Sequence, residues 1–119
     1  AEALTKIGTA RERHLQNWRM LFDIACRGEE ATPLERMRIR YESAQANATC
    51  FESFADIWPL AGAAASASSH PLQQTFRDLM AARNHGSAGR ELAAGQYIKT
   101  LFGLPPAPFT DFGTLAYYK

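Results

Sequence analysis

Soft metal ligands are scarce in this chain: it has two cysteines and three histidines in 119 residues. Cys26 and Cys50 fall on separate predicted helices, and neither has a second ligand at a zinc-site spacing. That excludes a structural zinc centre and predicts two reduced, half-buried thiols in a cytoplasmic protein. His14, His70 and His85 are no better placed, since the nearest acidic partner is Asp78, two turns before His85. Charge of one sign is also missing. Thirteen Lys and Arg face twelve Asp and Glu, so no basic field exists to draw the chain onto phosphate backbones, and nucleic-acid binding is disfavoured. No run of eighteen apolar residues occurs, so no segment reads as a membrane-spanning helix. The opening AEALTKIGTARERH lacks the basic-then-apolar order of a signal peptide. Gly86 and Gly89 are too sparse for a phosphate-binding loop, and nothing resembles a nucleophile elbow.

What is present is helical periodicity. Hydrophobic residues make up 46% and charged residues 21% of the chain, the balance of an ordinary globular domain, and residues 1–119 read as one unit. A chain of this length can bury about two-thirds of its unfolded surface, enough for one core. From Glu2 to about Arg27, Leu4, Ile7, Leu15, Trp18, Phe22 and Ala25 form one stripe of an amphipathic helix, and Gly28 closes it. Thr32-Pro33-Leu34-Glu35 is a capping box that starts a second helix. Leu34, Met37, Tyr41, Ala44, Ala48, Phe51, Ala55 and Trp58 follow at gaps of three or four. Phe54, Ile57 and Leu60 make a second apolar line, which predicts contact with protein outside this chain. Pro59 and Gly62 end the helix.

The run Ala61 to Ser69 holds nothing large, and composition reads it as an alanine-rich helix end with a turn. A third helix is predicted from Pro71, capped by Ser69 or His70, with Leu72, Phe76, Leu79 and Met80 inward and Gly86 as its stop. Gln73, Arg77 and Asn84 lie near one of its faces, Asp78 and His85 on the neighbouring one. Such a strip is most often a solvated surface. A fourth helix is predicted from about Ala88 to Phe102, followed by a Pro-rich tail from Leu104 to Phe109 that lies extended. No segment alternates with a convincing period of two, which makes the fold all-α: an antiparallel four-helix bundle with an extended C-terminal tail.

The order small-residue loop, Ser, Pro71-Leu72-Gln73, two residues, Phe76-Arg77-Asp78-Leu79, Ala81-Ala82-Arg83, His85 resembles the carboxyl-terminal domain of acyl-CoA dehydrogenase-like flavin monooxygenases. The resemblance is closest over Ala61 to His85. It implies the helical bundle that ends a longer chain, behind an N-terminal helical domain and a β-barrel, arranged as a tetramer. It further implies reduced flavin (FMN or FAD) delivered by a separate flavin reductase, molecular oxygen, and a small aromatic or similar organic substrate. Carried onto this sequence, His85 matches the histidine beside the reacting flavin or substrate, and Ser68 and Ser69 match the loop that approaches the cofactor. Arg77 and Asp78 match residues that brace the helix. One departure is Gln74, where the family often has arginine. Two alternatives stand beside this reading: an acyl-CoA dehydrogenase-type oxidoreductase, for which no base glutamate is evident, and a non-catalytic helical interaction module.

Overall fold

The computed structural model describes residues 1–85 and 89–105. Four α-helices make up the fold, and no strand occurs among the described residues. They are α1 (Glu2–Cys26), α2 (Pro33–Ile57), α3 (Pro71–Arg83) and α4 (Arg90–Leu101). α2 is the hub, because α1, α3 and α4 each pack on it and make only marginal contact with one another. All three run antiparallel to α2. Asn17 meets Glu42 and Met20 meets Arg38 on the α1 side, while Asn47 meets Ala82 and Arg40 meets Gln96 on the other sides.

Local chemistry explains where the helices begin and stop. The Thr32 hydroxyl accepts from the Glu35 N–H at 3.1 Å, and the Glu35 carboxylate accepts from the Thr32 N–H at 2.7 Å. This reciprocal pair satisfies two donors that the first turn of α2 leaves open. Gly28 sits at φ 68° just past α1, and Gly62 at φ 71° between two short 3-10 turns, Trp58–Ala61 and Ala63–Ser66. These are conformations that a residue with a Cβ adopts at a cost. Of the two caps expected for α3, His70 is the one used, its Nδ1 accepting from the Leu72 N–H at 3.2 Å. Gly86 and the tail beyond Pro105, both read from the sequence, lie outside the described residues.

The core is small. Its fully buried apolar side chains are Ile24, Met37, Ala44, Phe54, Ala65 and Ala93. An aromatic trio, Phe54, Trp58 and Phe76, fastens α3 to the end of α2 with ring centroids 5.2 to 6.3 Å apart. Tyr41 and Tyr97 stack at 5.8 Å between α2 and α4.

Two expectations need correcting. The apolar stripe of α1 is covered only in part: Ile7 and Leu15 are half-buried, whereas Leu4, Trp18 and Phe22 are 60 to 74% exposed, and Asn17 and Ile24 on an adjacent flank are buried instead. The reason is the polar α1–α2 seam, where Asn17 donates to Glu42 at 2.8 Å and Arg38 donates to the same carboxylate. In the second apolar line of α2, Phe54 is buried within this chain, whereas Leu60 is 86% exposed. Cys50 is half-buried as expected, but Cys26 is exposed on the last turn of α1.

Candidate functional site

The small-residue segment is folded rather than slack. Ala65 is completely buried, and the Gln73 side chain donates to its carbonyl at 2.8 Å, tying the loop to the first turns of α3. The turn that follows is closed by the His70 N–H donating to the Ala67 carbonyl at 2.9 Å. Ser68 and Ser69 ride on that turn with their side chains exposed at the start of α3. Gln74 donates to Asp78 at 2.7 Å across one exposed turn, so Asp78 serves a helix-surface pair, and Arg77 is exposed beside it.

His85 lies at the opposite end of α3, exposed and just beyond the C-cap Asn84. Two contacts hold this end on α2. Asn47 donates to the Ala82 carbonyl at 3.2 Å, and the Arg83 guanidinium stands 4.4 Å over the Phe51 ring. A helix rises about 1.5 Å per residue, so the length of α3 puts the two serines and His85 roughly 20 Å apart. The structure does not bring them to one point. Only an extended ligand touches both.

Asn47 also belongs to a groove between α1 and α2, of about 610 Å³. Trp18 and Leu21 form its α1 wall, with Ile39 and Ala44 on the α2 side. The Trp18 indole N–H donates to His14 Nε2 at 2.7 Å, one turn back on the same helix. Arg36 and Arg40 stand on the floor, Arg40 donating to the buried Gln96 of α4 at 2.7 Å. Among the described residues, no carboxylate lines the groove.

A family model described as "Acyl-CoA dehydrogenase, C-terminal domain" matches residues 1–89. The chain belongs to this family. The acyl-CoA dehydrogenase C-terminal fold accounts for the hub-and-helices arrangement, and solved structures repeat it. The HsaA monooxygenase of M. tuberculosis superposes with a TM-score of 0.81 at 28% identity, over 90% of this chain and 28% of that one. The 3-HSA hydroxylase of Rhodococcus sp. RHA1 gives 0.83 at 30% identity, over 93% of this chain and 29% of that one. XiaF of Streptomyces sp., solved in complex with FADH2 and glycerol, gives 0.77 at 27% identity, over 88% and 28%. The acyl-CoA dehydrogenase C-terminal domain seen here thus spans under a third of the length of the structures it resembles. No curated protein matches the chain.

Within this family fold, sequence reasoning located the loop and α3 but missed the groove. Its signal was legible, since Arg36, Arg40, Ser43 and Asn47 recur at gaps of four, three and four and form a polar line beside the apolar stripe of α2. What the sequence did not reveal is that Trp18 and Phe22 of the α1 stripe stay exposed, with Trp18 as a groove wall.

Proposed function

We propose that this chain is the C-terminal helical bundle of a longer flavin-dependent monooxygenase, folded as one domain. The carrying observation is the likeness, at 28% and 30% identity over nine-tenths of the chain, to a monooxygenase and a hydroxylase. A third relative was solved with FADH2, which supports a reduced flavin as cofactor, FMN or FAD. Bound reduced flavin supplies the electrons that activate dioxygen for insertion of one oxygen atom into an aromatic or similar small substrate.

The residues present suit such a group chemically. Ser68 and Ser69 offer exposed hydroxyls on a turn that Gln73 pins in place, suited to a phosphate or a ribityl hydroxyl. His85 offers an imidazole that holds or moves a proton at the other end of α3. With roughly 20 Å between them along the helix axis, they serve the two ends of an extended cofactor or two different cofactors. The exposed apolar residues Leu4, Phe22, Leu60 and Phe102 are the surface on which the rest of the enzyme, a β-barrel or further subunits of a homotetramer, packs and excludes water. A separate flavin reductase completes the system.

A second reading has its own observation. Gln74 stands where the family often has arginine and is engaged by Asp78, as expected of a bundle that kept its fold and lost its cofactor.

The test is reconstitution with the remaining domains and reduced flavin, measuring hydroxylated product and released hydrogen peroxide. The oxygenase reading expects His85→Ala to lower product formation by a factor of about 100 or more while flavin still binds. Unchanged product formation in that variant overturns the role of His85. Absence of flavin binding in the complete assembly overturns the oxygenase reading in favour of the interaction module.

A further inference from the structure

The groove between α1 and α2 has a consistent chemistry that the loop and α3 do not use. Its walls include the apolar side chains of Leu21, Ile39 and Ala44 and the Trp18 indole. Its charged residues, Arg36 and Arg40, are both cations. Of the carboxylates on this part of α2, Glu42 is taken up by Asn17 and Arg38, and Glu35 by the Thr32 N–H of the capping box. Arg40 is committed to Gln96. Arg36 is exposed, and its side chain makes no hydrogen bond or ion pair among the described residues. An arginine left free beside an indole wall presents a planar fork for an anion next to a surface for a flat ring. A groove of about 610 Å³ falls within the range of small-molecule sites, and its apolar walls are interspersed with polar side chains that can orient a ligand.

We infer that this groove binds a planar aromatic compound bearing an anionic group, with its ring against Trp18 and its anion on Arg36. Asn47 joins the groove floor to the end of α3 that precedes His85. If the ligand is the substrate of the proposed oxygenase, a step that rests on that reading, the substrate is an aromatic acid rather than a neutral phenol. The same chemistry is found in the flavin's own phosphate and ring, so the source needs an experimental arm of its own.

The experiment follows the Trp18 indole N–H resonance in nitrogen-15-labelled 119-residue chain, assigned through Trp18→Phe. The chain has only two tryptophans, so the assignment is unambiguous. 2-Naphthoate is titrated against the neutral isostere 2-naphthamide. The expected result is a saturable shift with naphthoate and binding at least about tenfold weaker for the amide, with a similar loss for naphthoate in Arg36→Gln and partial recovery in Arg36→Lys. Adding FMN separates the sources: displacement of naphthoate assigns the anion to the flavin phosphate, and no displacement assigns it to a separate aromatic acid. Equal binding of the two probes overturns the inference, because the groove is then merely greasy. No shift with either probe also overturns it, and a doubled mass in sedimentation then identifies a second copy of the chain as the occupant. None of these readings needs flavin turnover, so the groove stands or falls separately from the oxygenase.

Discussion

The Asn17 amide donates to the Glu42 carboxylate at 2.8 Å, a polar tie across the seam between α1 and α2. Asn17 is buried, and Glu42 also accepts from Arg38. Removing the carboxylate leaves two donors without their acceptor, which costs more than the bond itself contributes. Glu42→Ala is expected to destabilise the chain by about 2 kcal/mol, and Glu42→Gln by clearly less, since an amide oxygen still accepts from Asn17. Urea denaturation of the two variants checks the order. A Glu42→Ala chain as stable as the parent overturns the account of the seam.

The capping box of α2 makes a pH-dependent contribution. Hydrogen bonds from the Thr32 backbone N–H and then its hydroxyl hold the Glu35 carboxyl below its ordinary value. A group whose pKa is depressed on folding stabilises the fold above its unfolded value, and that stabilisation disappears as pH falls through the folded one. The start of α2 should therefore loosen in acid below about pH 4. Glu35→Gln keeps an acceptor but should flatten this part of the acid limb when helicity is followed by circular dichroism. Thr32→Ala should cost about 1 kcal/mol near neutral pH.

These two contacts show what was legible in the sequence. The capping box, the Gly28 and Gly62 breaks and a cap of α3 at Ser69 or His70 are local chemistry, encoded by neighbours a few residues apart, and can be read from the chain; the structure then selects His70. The Asn17–Glu42 pair joins positions 25 apart, and no periodicity announces it. The α1 stripe marked an apolar face but not which of its residues this chain covers, because periodicity fixes the face and not its partner. Trp18 and Phe22 remain exposed among the residues described. Likewise, the loop and α3 were visible as a motif, whereas their roughly 20 Å separation of Ser68 and Ser69 from His85 needed the helix to be built.

Phe76 couples α3 to the hub. Its ring lies 5.2 Å from Trp58 and 6.3 Å from Phe54. Phe76→Ala is expected to destabilise by about 2–3 kcal/mol, toward the low end for phenylalanine because the ring is only half-buried. Trp58 emission should shift to longer wavelength as water reaches the indole. Phe76→Leu should recover most of the stability, and a failure to do so would point to ring stacking rather than burial.

His85 gives a contrasting expectation. It is exposed beyond the end of α3, so His85→Ala should change stability by no more than about 0.5 kcal/mol. Thermal unfolding of the isolated chain measures this directly. A loss of several kcal/mol would show that the imidazole holds the fold, and any activity deficit in the reconstituted enzyme would then need another explanation.

Because every other helix rests on α2, the helices are unequal in how independently they can open. α1 can lift off by breaking its polar seam and uncovering Ile24, and α3 by losing one aromatic trio and two polar ties. The middle of α2 loses its cover only when its neighbours go together. Its amide protons should exchange with solvent only through complete unfolding, while those of α1 exchange through cheaper partial openings. The groove inherits that inequality: its α2 floor is set by the most persistent part of the molecule, and its Trp18 wall by a helix free to breathe.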